Sequence, residues 1–117
     1  MLKIFRFWLP VATCMGFIFY ASSVPGSDIP PLFPGQDIVF HFAVYMALAY
    51  FFSRALKNTT AIDTKKIFLF TLAFGLLYAI SDEIHQAFVP LRNISALDVF
   101  IDGCGTLTGG LIRKWLT

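Results

Sequence analysis

Asp37, His41 and Tyr45 stand at i, i+4 and i+8, which puts a carboxylate, an imidazole and a phenol on one helix face. Asp37 falls where that helix would begin. A carboxylate there is favoured by the helix dipole and can cap free N–H groups, so capping competes with ligand contact as its role. His41, one turn deeper, either satisfies a buried carboxylate or exchanges a proton near neutral pH. A second cluster is Ser81-Asp82-Glu83-Ile84-His85-Gln86. Its spacing pairs Glu83 with Gln86 on one side and Asp82 with His85 on a neighbouring one, so the four cannot all point to one centre. Arg92 follows and is the expected partner of one of these acids. A third set, Asp98, Asp102, Gly105 and Gly109, falls at i, i+4, i+7 and i+11 as one narrow stripe. Small residues let another helix come close, which would force the carboxylates above them into the interior. The glycines read as packing devices rather than as a phosphate-cradling loop.

The elements that must position these residues are helices whose solvent is lipid. The chain has 117 residues, 57% hydrophobic and 14% charged, with 14 phenylalanines. Its mean hydropathy is +0.73. A soluble domain carries roughly 25% charged residues, and this chain has too few to cover a globule. The apolar residues come in blocks, which predict an all-α fold: an integral membrane four-helix bundle in one domain, 1–117, with helices over about 4–22, 37–54, 66–88 and 96–116. The second block is the shortest. Between the first two, residues 24–35 hold four prolines and two glycines and predict an ordered outer loop. Asn93 and Ser95 are suited to start the last helix.

Orientation follows from the basic residues. Lys3 and Arg6, then Arg54, Lys57, Lys65 and Lys66, then Arg113 and Lys114, all fall on one side of a four-span chain, leaving only Arg92 on the other. That side is predicted to be cytoplasmic, with both termini inside. Six acids (Asp28, Asp37, Asp82, Glu83, Asp98 and Asp102) then share the outer layer with His41, His85 and Arg92. An unpaired carboxylate in a membrane segment costs about 3 kcal/mol on insertion scales, so these groups need a wet cavity or a cation.

Several function classes fall away. A net charge of +2, with no interleaved basic and aromatic residues, gives no nucleic-acid surface. Cys14 and Cys104 sit in apolar segments and read as small buried side chains. Lys3 and Arg6 before an apolar run raise a signal peptide, but the run continues past Cys14 and reads as a retained helix. No cofactor is expected, and no local ligand spacing such as His-x-x-x-His commits any residue to a metal.

Taken together, these residues resemble the VanZ-like family of small bacterial membrane proteins. The matching pieces are Ser22-Ser23-Val24-Pro25; Asp37 with His41-Phe42 and Tyr45; Ser81 to Gln86; Phe88-Val89-Pro90-Leu91-Arg92 with Ser95; then Asp98, Gly105 and Gly109. Two positions depart from the pattern. Ile38 stands where the family commonly has Lys, and Asp102 where it commonly has Asn, so the site loses a positive charge and gains a carboxylate. The resemblance implies a place in the bacterial cytoplasmic membrane and a link to teicoplanin-type glycopeptide resistance, without a mechanism.

The leading expectation is a binding protein in contact with the bilayer, with an outer-leaflet polar pocket for an envelope lipid or cell-wall precursor. Its predicted ligand-binding residues are Asp37, His41, Tyr45, Glu83, Gln86, Arg92, Ser95, Asp98 and Asp102. An intramembrane enzyme acting on such a lipid is the alternative, with His41, Glu83 and Asp98 as catalytic candidates and Asp98 with Asp102 assisting or holding a divalent cation. A proton-linked transporter would need a homo-oligomer, because four helices make a small conduit. A structural assembly partner, its polar layer locking helices together, is the fourth reading.

Overall fold

The computed structural model describes residues 1–92 and 94–116, so the expected role of Asn93 in starting the last helix lies outside the described residues. Within them the chain is all helical. Four helices run in order: α1 Leu2–Ser23, α2 Gln36–Thr59, α3 Thr64–Gln86 and α4 Ala96–Leu116, with one 3₁₀ turn, Gly26–Asp28, between α1 and α2. The second helix, expected to be short, is the longest at 24 residues. Its extra turn holds because Ala55 and Leu56 are buried and the Thr59 hydroxyl binds back to the Ala55 carbonyl at 2.6 Å. α3 starts two residues earlier than expected, where the Asp63 carboxylate caps the Lys66 N–H at 2.9 Å. It also ends two residues earlier, at Gln86.

Three helices, α1, α2 and α3, are long and apolar enough to cross a membrane. α4 falls short of that test because Asp98, Asp102, Arg113 and Lys114 interrupt it. It hides its polar side instead: Asp102, Gly105, Thr106, Gly109 and Gly110 are buried, while Leu97, Phe100 and Trp115 face outward. The same reversal runs round the bundle, with Phe17, Phe19, Leu77 and Ile84 among many large apolar side chains left exposed. A surface of this kind needs lipid tails rather than water against it. The chain is a membrane protein.

α2 is the hub. It touches each of the other three helices, and α3 also meets α1 and α4, whereas α1 and α4 lie apart. The α2–α4 approach is the tightest. A methyl group on Gly105 would sit 2.5 Å from the Phe42 carbonyl oxygen, and one on Gly109 would sit 2.2 Å from that of Met46. The short connections alternate helix direction, so the ends of α1 and α3 gather with the starts of α2 and α4. At the opposite end, the Trp8 indole donates to Thr59 at 3.0 Å, and Arg54 lies over the Phe7 ring at 4.6 Å.

The backbone contact gives a direct test. Gly109→Ala should lower stability in detergent by about 1–3 kcal/mol, the usual cost of overpacking, read as a fall in the thermal midpoint. Gly16→Ala, where an added methyl meets nothing within 4 Å, should leave the midpoint unchanged.

Candidate functional site

The gathered helix ends bury a polar cluster. From α2 come His41 and Tyr45, from α3 Asp82 and Gln86, from α4 Asp102, and from α1 Ser22, all buried. The His41 Nδ1 and Asp102 Oδ1 atoms lie 2.8 Å apart. Asp82 accepts from the Ser22 hydroxyl through one carboxylate oxygen, and from Tyr45 at 3.3 Å and Gln86 at 3.5 Å through the other. The Gln86 amide also reaches the Ser22 hydroxyl at 3.4 Å. Asp102 is fully buried, and its second oxygen has no hydrogen-bond partner among the described residues. One nitrogen or carboxylate oxygen each from His41, Asp82 and Asp102 lie within 4.8 Å of one another.

The expected site residues divide into two groups. His41, Tyr45, Gln86 and Asp102 meet in the cluster. Asp37, Glu83, Arg92, Ser95 and Asp98 stand outside it, and most have structural work. Glu83 reaches from α3 to accept the Ser95 backbone N–H at 3.0 Å, while the Ser95 hydroxyl accepts the Asp98 N–H at 3.3 Å. This is a capping box whose acid comes from another helix. Asp98 lies half-buried beside it, in the first turn of α4, where the helix dipole favours its charge.

Two expectations are corrected here. Arg92 does not pair with an acid of the 81–86 cluster. Its Nη1 donates to the carbonyls of Ala21 and Val24, both at 2.9 Å, and closes the end of α1. The Ala21 carbonyl, near the end of α1, also accepts the Val24 N–H at 3.3 Å, and Val24 follows the helix, so the guanidinium adds charge-assisted bonds where intrahelical donors run out. Gln86 pairs with Asp82, one turn earlier, rather than sharing a side with Glu83. His85, in turn, stacks on Phe19 with ring centroids 4.3 Å apart and contacts Ser23 through Nε2 at 3.2 Å.

Asp82 and Ser22 are the residues that sequence reasoning passed over as site members. A signal for Asp82 existed: Thr71, Gly75, Ala79, Asp82 and Gln86 recur at steps of four or three and mark the buried stripe of α3. Ser22 carried no comparable mark.

Beside the cluster lies a groove of about 570 Å³ between the end of α1, the Pro-rich loop and the start of α2. Its walls are mainly apolar, with Phe17, Leu32, Phe33, Val39 and Phe40 among them, and its polar members include Asp28, Asp37, His41 and Arg92. The loop that forms one wall is built, not slack. Gly35, at φ +80°, turns the chain into α2. The Gln36 side chain accepts the Leu32 N–H at 2.6 Å and donates to the Pro30 carbonyl at 2.9 Å. Gly26 donates its N–H to Pro90 at 3.0 Å, so close to the Leu91 backbone that no side chain fits, and Leu91 itself takes the left-handed conformation at φ 59°.

Arg92→Met should therefore act on structure first. Losing two charge-assisted hydrogen bonds should cost about 1.5–3 kcal/mol, with faster amide exchange at Val24 and Gly26 and unchanged protection in the α2–α4 contact.

Comparison with known proteins agrees with the residue pattern. No curated protein and no solved structure gives a match. The family model for VanZ/LLP1 matches residues 7–117, nearly the whole chain. The chain belongs to the VanZ/LLP1 family.

Proposed function

We propose that the protein binds an envelope amphiphile, a lipid or a lipid-linked cell-wall precursor, from the outer leaflet of the bacterial cytoplasmic membrane. The observation that carries this reading is His41, which belongs both to the buried polar cluster and to the wall of the apolar groove. An acyl chain fits the phenylalanine-lined part. An anionic head group finds Arg92 and the ring of His41 at the polar end, with Asp37 and Asp28 to orient hydroxyls or amines. The charge pattern supports an orientation with both termini in the cytoplasm and the groove outside: eight of the nine basic residues fall on one side of the spans. The family resemblance links such binding to tolerance of teicoplanin-type antibiotics.

Native mass spectrometry after mild delipidation tests this. The wild type should retain a discrete amphiphile adduct, Ala43→Trp, which fills the groove wall, should lose it, and Glu83→Gln, away from the groove, should keep it. Exchangeable bulk lipid on all three would sink the proposal and leave the polar layer as helix glue.

One observation favours a second reading, an intramembrane hydrolase or transferase. A carboxylate on Nδ1 fixes an imidazole tautomer and leaves Nε2 as base, and His41 has that arrangement with Asp102 at 2.8 Å. Product formed from a lipid-linked substrate by purified protein, and abolished in His41→Ala, would establish it; no turnover by the wild type would remove it.

A further inference from the structure

We infer that His41, Asp82 and Asp102 form a binding site for one divalent first-row metal ion, Zn²⁺ or Mn²⁺. The three residues come from three helices, and their donor atoms lie within 4.8 Å of one another. Ligands 2.0–2.2 Å from a common ion lie about 3 Å apart when adjacent and at most about 4.4 Å apart when opposite, so an ion would draw the outermost donors slightly inward. His41 Nδ1 and Asp102 Oδ1, hydrogen-bonded at 2.8 Å, already stand as close as adjacent ligands, and an ion would take the place of the proton between them.

Charge supplies the second argument. Two carboxylates are buried here, Asp82 at 6% exposure and Asp102 at 0%. Among the described residues no lysine or arginine comes within ion-pair distance of either, and Arg92 is engaged with the carbonyls of Ala21 and Val24. A protonated His41, 2.8 Å from Asp102, balances at most one of the two carboxylates, and the other stays buried without a cation, which is costly.

A third observation points at the ion itself. Asp102 Oδ2 is buried and has no hydrogen-bond partner among the described residues. Orphaned buried oxygens are rare in native proteins and call for water or an ion. Ser22, Tyr45 and Gln86 surround Asp82 as hydrogen-bond donors, which is how a ligating carboxylate is held in place. One imidazole with two carboxylates suits Zn²⁺ or Mn²⁺ better than Mg²⁺, and lacks the thiolate that Cu⁺ prefers.

The site does not depend on the amphiphile and is read separately from it. It does oppose the second reading above. With one ring nitrogen on the ion and the proton on the other, His41 has no lone pair left to act as a base.

The test uses the full chain in detergent, stripped with EDTA, desalted and titrated with Zn²⁺ or Mn²⁺ alone. Elemental analysis should find about one equivalent per chain, with a rise in thermal midpoint that saturates with the metal. Asp102→Asn and Asp82→Asn should weaken uptake at least about tenfold, while Glu83→Gln keeps it. Failure of the wild type to take up either metal overturns the inference whether or not the variants fold. Equal uptake by folded Asp102→Asn overturns it too.

Discussion

α2 and α4 meet backbone to backbone at Gly105 and Gly109, with no room for even a methyl group between Gly109 and the Met46 carbonyl. This contact fixes the height and rotation of one helix against the other. Gly105 lies one turn below Asp102, and Phe42 is the residue after His41, so the approach that joins the glycines to α2 also sets the 2.8 Å between imidazole and carboxylate. In lipid no hydrophobic force draws helices together, so small residues and shared hydrogen bonds must do so. Here both occur along the same seam, and α3 completes it by bringing Thr106 against Gly75 and Asp82 against Tyr45.

Around that seam the molecule is divided by polarity. One end has the aromatic and basic contacts of Arg54 with Phe7 and Trp8 with Thr59; the other has two buried carboxylates, an imidazole and a groove that opens beside them. The rigid parts of the second end are loops. Gln36 braces the Pro-rich segment, Arg92 seals the end of α1, and Gly26 joins one loop to the other through Pro90. A wall held by this many backbone contacts keeps its shape without a ligand, which lowers the ordering cost of binding one.

Much of this was legible in the sequence, because it depended on local periodicity. Blocks of apolar residues located four helices, the stripe from Asp98 to Gly109 foretold a close α4 contact, and Asp37, His41 and Tyr45 were assigned one face. What escaped depended on partners distant in the chain. Asp82 is separated from Ser22 by 60 residues, and nothing near Ser22 marks it as a carboxylate's donor. Arg92 lies close in sequence to acids but folds onto carbonyls 68 and 71 residues away. Proximity along the chain is a poor guide to pairing where a loop reverses direction. The length of α2 was missed for another reason: the apolar block gives way to polar residues after about residue 54, yet Ala55 and Leu56 just beyond are buried and carry the helix on.

The polarity of α4 also bears on how the protein enters the bilayer. A helix with aspartates at two successive turns and Arg113 and Lys114 near its end gains less than its neighbours by leaving water alone, since ionised side chains oppose insertion. Its carboxyl-bearing side becomes tolerable only against α2 and α3, and its first turn is capped by an acid that α3 supplies. Of the four helices α4 is thus the one least able to insert independently. Integration and tertiary docking are a single event for it, and the three preceding helices act as its template in the membrane.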